Sequence, residues 1–412
     1  MKKLLLIIIS TPLFLLAQTD KSKHIIKWNT NILFESSSLD KSFLNSMLYG
    51  GHISNKIKTN WINSGEDNNV IYSEISNKIN YNFLKNSNIF GFSISDRNIL
   101  NASFSDDLLR LAFEGNFHHQ DKTLDFGGTT IRIDRFQQYT FNYERTNKYV
   151  NVSTSVSYLL GNHHLSYIIE KGSLYTSPYG TLLDIDYDMS AFVTDTSSIS
   201  PIGHNGNGIA LGLSAEFQFK KHTISFSFSD LGFIMWDPSS IILTSDSNFR
   251  FSPIEIEDIF ILNDSLLEIN NENDNILNSN KAAFKSYIPA NFHFKVSGSG
   301  DYKYLKNYIL GIKGKWQPFL DNTPLSSKKL GQGFKESNFK TLYYIQSTYS
   351  TTYCDIITNL SDGGYSSDTN LGLALSKGKK YNLTIGTHHL EDILNSKNVK
   401  AFSLYFNIKL KF

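Results

Sequence analysis

The chain has 412 residues, with 39 Lys and Arg against 38 Asp and Glu, giving a formal net charge of +1 and a pI of about 7.7. That balance excludes the basic surface on which nucleic-acid binding depends. One cysteine, Cys354, excludes an internal disulfide framework, so a chain rich in Phe (30) and Tyr (22) and poor in Pro (8) must be held by other means.

In chain order, Met1-Lys2-Lys3 is a short basic start. Leu4 to Leu16 is apolar apart from Ser10, Thr11 and Pro12, and Ala17 offers a small residue before Gln18. The pattern predicts a secretory signal peptide over residues 1–17 and a mature chain over 18–412, the apolar core being too short for a spanning helix. No cysteine follows that core, so a lipid anchor is not expected. After residue 17 no apolar run nears the roughly 18 residues that a membrane helix needs. A membrane protein without such a helix must cross as a closed barrel, because lipid does not tolerate unpaired backbone.

Period-two alternation then recurs along the chain. Val150, Val152, Thr154, Val156, Tyr158 and Leu160 oppose Asn151, Ser153, Ser155 and Ser157. Leu211, Leu213, Ala215, Phe217 and Phe219 oppose Gly212, Ser214, Glu216 and Gln218; Ile224, Phe226 and Phe228 oppose Ser225, Ser227 and Ser229. Phe292, Phe294 and Val296 oppose His293, Lys295 and Ser297, and Leu371, Leu373 and Leu375 oppose Gly372, Ala374 and Ser376. The last stretch, Ala401 to Phe412, has Phe402, Leu404, Phe406, Ile408, Leu410 and Phe412 on one parity. Strand side chains alternate between faces, so one face is apolar and the other small or polar. Lys220-Lys221-His222, Ser361-Asp362-Gly363-Gly364 and Lys377-Gly378-Lys379 supply turns between runs. A soluble sandwich also alternates. Runs of about 9–12 residues favour a tilted membrane strand, and so do Trp61, Tyr158, Trp236, Trp316 and Phe412, read as aromatic girdles at strand ends. The expected fold is all-β, an antiparallel transmembrane β-barrel of about 14 strands (12–16).

The stretch from 237 to 289 breaks the rhythm and is expected to be a long acidic loop or plug insertion. Between Arg250 and Lys281 it holds seven acidic residues and no Lys or Arg, with a short helix expected over Glu255 to Ile269. A loop this long is commonly functional or disordered.

Three patterns could carry chemistry. Asp184, Asp186 and Asp188 share a strand parity, which suits either a cation strip, since hard cations take clustered carboxylate oxygens, or salt bridges across the barrel. Arg97, Arg110, Arg132, Arg135 and Arg145, five of the six arginines, lie upstream as partners. His118-His119, His163-His164 and His388-His389 are adjacent pairs, whose side chains diverge on a strand; they read as rim residues near turns. Gly203-His-Asn-Gly-Asn-Gly208 has the look of a phosphate loop, but it leads into a strand and not a helix, so it reads as a turn. No Gly-x-Ser-x-Gly, His-Glu-x-x-His or zinc spacing occurs, and neither an enzyme nor a cofactor is expected.

Phe92-Ser-Ile-Ser-Asp-Arg97, Asp107-Leu-Leu-Arg-Leu-Ala-Phe-Glu-Gly-Asn116, Tyr158-Leu-Leu-Gly-Asn162 and Asp230-Leu-Gly-Phe-Ile-Met-Trp236 follow one another in that order. Together they resemble a family of Bacteroidota outer-membrane proteins classed as a domain of unknown function. That family is similar in outline to fatty-acid-transporter-like barrels and to barrels associated with type IX secretion. The resemblance implies an outer-membrane barrel and carries no catalytic residues. The expected role is a passive channel or transporter for small or hydrophobic molecules. The alternatives are a structural or accessory barrel of a secretion or surface-assembly system and, more remotely, a hydrolase with its site at the rim. The expected partners are outer-membrane lipid, the barrel-assembly machinery through the C-terminal strand ending at Phe412, and secretion-system proteins, with no nucleic acid.

Overall fold

The computed structural model describes residues 23–50, 52–194, 203–251, 278–300, 304–321, 333–394 and 400–412. The chain runs β1 (His24–Ser36), helices α1 (Lys41–Tyr49) and α2 (Asn55–Asn63), then β2 (Asn69–Lys85) and β3 (Asn88–Phe104). Helix α3 (Asp106–Glu114) and β4 (Lys122–Asp125) precede β5 (Thr129–Thr146) and the 27-residue β6 (Val150–Thr176). Next come β7 (Leu183–Val193), β8 (Gly206–Phe219), β9 (His222–Trp236), β10 (Ile241–Phe251), β11 (Asn278–Lys281) and β12 (Phe284–Ile288). The last strands are β13 (Ala290–Ser299), β14 (Leu305–Trp316), β15 (Lys340–Ser350), β16 (Asp355–Gly364), β17 (Asp368–Lys377), β18 (Tyr381–Thr387) and β19 (Ala401–Lys411).

These strands form one antiparallel sheet in which β1 pairs with both β2 and β19. His24 and Phe412 exchange backbone hydrogen bonds at the seam, 3.2 and 2.9 Å long. The sheet is therefore a closed barrel with no free margin along its wall. It has 14 staves: β7 with β8, β9 with β10 and β12 with β13 each make one stave in two pieces, and β4 and β11 stand outside the ring.

The alternation resolves into two faces. Ile79, Phe92, Ile94, Val156, Leu211, Leu213, Phe226, Leu310, Ile345, Leu371 and Leu404 are exposed on the outside, whereas Ser93, Ser95, Gln138, Thr140, Ser157, Ser225, Ser361 and Thr384 are buried inside. That is the apolar-out, polar-in pattern of a membrane barrel. A groove of about 390 Å³ on the outer wall, lined by Phe294, Leu310, Tyr343, Ile345 and Leu360, lies in this apolar band.

The two ends differ. At the end holding His24 and Phe412 the staves are joined by short turns, such as Asn86-Ser87 and Lys220-Lys221, with Asn86 (φ 55°) and Lys220 (φ 53°) in the left-handed region that tight hairpins use. The far end carries α1, α2, α3 and the longer connections. There β6 runs about 90 Å at ~3.3 Å per residue, well beyond a bilayer core, and its far half pairs with β4 and β7. Trp61 is not at a strand end: it lies on α2, buried against Phe43 and Phe113, and donates to Asp40 at 3.0 Å. Trp236 is also buried, pointing inward, while Tyr158 and Trp316 are exposed on the outer wall. Strand pairing enters the 237–289 segment from both sides, through β10 on β7 and through β11 and β12. Residues 252–277, which contain all of the expected helix Glu255 to Ile269, lie outside the described residues.

Candidate functional site

The lumen is crossed by charged side chains rather than lined by a smooth wall. On β3, Arg97 donates to Glu74 of β2 at 3.1 Å and to Asp230 of β9 at 3.1 Å. Asp230 sits where β9 bulges against β8, with φ of 64°, a conformation that Asp tolerates better than most residues. The bulge aims its carboxylate inward, where Gln138 (3.1 Å) and Asn291 (3.0 Å) also donate to it. On the other side Tyr72 donates to Glu74 at 2.7 Å and accepts from Lys315 of β14 at 3.0 Å. Strands β14 and β2 lie on opposite sides of the ring, so this chain of contacts spans the barrel.

Nearer the long-connection end, residues 317–321 and 333–339, between β14 and β15, pack into the barrel's interior. Residues 317–321 and 333–339 are knitted by Gln317, which donates to Asp321 (3.0 Å) and to the Phe334 carbonyl (3.0 Å) and accepts from the Glu336 amide (3.1 Å). Arg132 of β5 anchors them by an ion pair with Asp321 at 2.5 Å and by lying over the Phe334 ring, 5.1 Å from its centre. Glu336 accepts from Asn101 at 2.7 Å and from Tyr365 at 2.9 Å, and the Tyr365 ring stacks on Tyr72 at 3.8 Å. Burial pushes the Asp321 carboxyl up to about 7 against the pull of Arg132. Phe334 joins Phe136, Leu159, Ile234, Trp236 and Phe284 in an apolar core that fills the barrel's interior here. Gly161 makes room for it, since a Cβ there would lie 2.5 Å from the Trp236 ring.

Beside this stopper lies a chamber of about 660 Å³, bounded by β13–β17 on one side and by Glu35, Glu74 and Arg97 on the other. A smaller recess of about 260 Å³, walled by Ser95, Thr140, Ser155 and Ser157, shares Glu74, Arg97 and Ser229 with it. The chamber wall on β13 and β14 is a basic ladder: His293 is directly opposite Lys313, Lys295 opposite Gly311, and Asn291 opposite Lys315. Gly311 lets the Tyr344 ring lie across the wall, as a Cβ there would fall 2.2 Å from it. The Tyr344 hydroxyl is 2.6 Å from His293 Nε2. His388, in the connection after β18, is pushed down to about 4 by burial and by the neighbouring Lys313 ammonium, and so is neutral.

The structure brings some sequence-singled residues together and scatters others. Asp184, Asp186 and Asp188 lie on β7 in the extension beyond the barrel, paired with β6 and β10. The arginine beside them is the sixth, Arg250, which reaches Asp184 at 2.5 Å. Four of the five upstream arginines pair elsewhere: Arg97 and Arg132 as above, Arg110 with Asp106, and Arg135 with Asp96. Among the described residues no group of three or more His, Cys, Asp or Glu is arranged to hold a metal ion. His163-His164 is mid-strand in β6, not at a turn. His164 is buried, 2.7 Å from Asp134 and packed between the Trp236 and Phe284 rings. His389 is likewise buried, 3.4 Å from Glu35, whereas His118-His119 does lie in a connection after α3. Of the stretch read as a turn, Gly203 to Asn205 leads into β8, whereas Gly206 to Gly208 are the first residues of that strand. Residues 317–321 and 333–339 gave no sequence signal, because partners such as Asn101 of β3 and Arg132 of β5 lie more than 150 residues away.

A closed 14-stranded antiparallel barrel with a polar, partly stoppered lumen is the class that the fold defines. The chain belongs to the Family of unknown function (DUF5723), whose model matches residues 26–388. No curated protein matches the sequence. Among solved structures it is similar to the Ralstonia pickettii toluene transporter TbuX, at 8% identity over 96% of this chain and 91% of that one, with a TM-score of 0.45. A Pseudomonas aeruginosa FadL homologue aligns at 8% identity over 94% and 89%, TM-score 0.46. The Pseudomonas putida toluene transporter TodX aligns at 7% over 97% and 90%, TM-score 0.42.

Proposed function

We propose that the protein is an outer-membrane barrel that admits and holds a small solute, closed in this conformation by residues 317–321 and 333–339. The chamber beside that stopper carries the reading: a cavity of about 660 Å³ is of the size that small-molecule sites use, and a purely structural barrel needs no such void. The apolar outer wall, closed sheet and signal-like start support a place in the outer membrane. The chamber is lined by Lys, His, Tyr, Asn and Glu side chains, which suits a polar solute better than a hydrocarbon. The chamber's histidines are tied within its wall, His389 lying 3.4 Å from Glu35 and His293 Nε2 2.6 Å from the Tyr344 hydroxyl. A transport role without catalysis fits this best.

Planar-bilayer recording tests the reading. The native protein should conduct weakly, and Phe334→Ala with Glu336→Ala, which loosens the stopper, should raise the open-state conductance several-fold. Silence from both, or equal conductance, would remove the transport reading.

A further inference from the structure

His293, Lys295, Lys313 and Lys315 crowd two adjacent strands on the lumen side, with His293 directly opposite Lys313. Most of these charges are answered within the wall. Lys295 lies 3.6 Å from Glu216, and Lys315 donates to Tyr72 and packs on its ring at 4.4 Å. Lys313 is different. Its ammonium lies over the Tyr344 ring, 5.1 Å from the centre, and among the described residues no carboxylate oxygen comes within 4.0 Å of it. Glu35 faces it across the chamber, but its oxygens accept from the Tyr365 amide at 3.0 Å and lie 3.4 Å from His389. Lys313 is nonetheless exposed, and since it lies deep in the barrel it is exposed to the chamber.

We propose that the chamber is a binding site for a small organic monocarboxylate, whose anionic group sits on the Lys313 ammonium beside Tyr344 and His293. A cation inside a protein gains most from a charged hydrogen bond, and the Tyr344 hydroxyl, already bonded to His293, keeps capacity for a second partner. A monoanion fits better than phosphate: Glu35 and Glu74 on the far wall would repel a dianion, and Lys315, the other ammonium here without a carboxylate partner, is already held by the Tyr72 hydroxyl and ring. Asn291, Gln346 and Asn359 offer neutral donors for the rest of the molecule.

This proposal rests on the reading of the barrel as a solute-binding one, but it is tested separately, by equilibrium binding to the full chain in nanodiscs. Radiolabelled benzoate is the carboxylate probe, toluene its neutral counterpart and inorganic phosphate the competing anion. Benzoate should bind more tightly than either. Lys313→Met should weaken benzoate by about tenfold or more, as loss of a charged hydrogen bond does, and Lys313→Arg should restore most of it. Since Lys313 has no carboxylate partner to lose, Lys313→Met should leave the temperature of the heat-modified gel shift unchanged, a result that a merely structural lysine would not give. Toluene or phosphate binding as tightly as benzoate, no benzoate binding, or unchanged benzoate affinity in Lys313→Met would each overturn the proposal. A barrel that binds no benzoate but conducts when unstoppered would leave the transport reading standing.

Discussion

At the scale of single residues, strand parity decides what a substitution costs. Phe226 and Leu213 are 46% and 54% exposed on the outer wall, whereas Ser225 is 4% exposed inside. Phe226→Lys or Leu213→Lys should lose roughly 2–4 kcal/mol if near mid-bilayer, measured by urea unfolding in lipid vesicles. Ser214→Lys, facing the lumen beside Ser153, should lose less, and equal losses on both faces would argue against a lipid-facing wall. Arg97 makes the opposite case. Arg97→Ala strands Glu74 and Asp230 inside the lumen, and breaking such a buried pair costs about 3–5 kcal/mol in the same assay. Gly161→Val would drive a side chain into the Trp236 ring; overpacking of this kind costs about 1–3 kcal/mol and should shift the tryptophan emission. The residues that the sequence showed correctly are those whose environment repeats every second position. Trp61 and Trp236 were misplaced because an aromatic ring looks the same whether it meets lipid or a protein core. What settles the matter is a partner far along the chain, Phe113 for one and Gly161 for the other.

At the scale of elements, membrane strands were legible and polar ones were not. Strand β10 lies within a stretch of Asn, Asp and Ser, and reads as loop because, in the extension beyond the ring, neither face has to be apolar; its pairing with β7 makes it a strand. The stopper was invisible for a different reason: its residues are those of any surface loop, and only Arg132, Asn101 and Tyr365 reveal it. It carries its own pH dependence. Undocked in water, Asp321 would titrate near its ordinary 3.8, but docked it titrates at about 7. Protonation thus favours docking; that support is full below the lower value and is lost as pH rises through the upper one, a difference on the order of 4 kcal/mol. Leak conductance should therefore rise between about pH 4 and pH 7, and Asp321→Asn should flatten the profile. A wild-type profile already flat over that range would contradict this.

At the scale of the molecule, the four motifs that carried the family resemblance converge on the wall and its cap. Arg97 from the first meets Asp230 from the last, Gly161 from the third seats Trp236 from the last, and the second forms α3, capped by Ser105. A count near fourteen followed from chain length at about 10 residues per crossing, and closure from lipid's intolerance of unpaired backbone; the seam that makes it, β1 on β19, joins the two ends of the sheet. A closed ring whose apolar side meets lipid resists detergent until it is heated. The direct measurement is electrophoresis of the membrane fraction with and without boiling. The unheated protein should sediment with outer membranes and run faster than the boiled form. A chain that stays in the soluble fraction, with one mobility at all temperatures, would contradict the barrel and everything built on it.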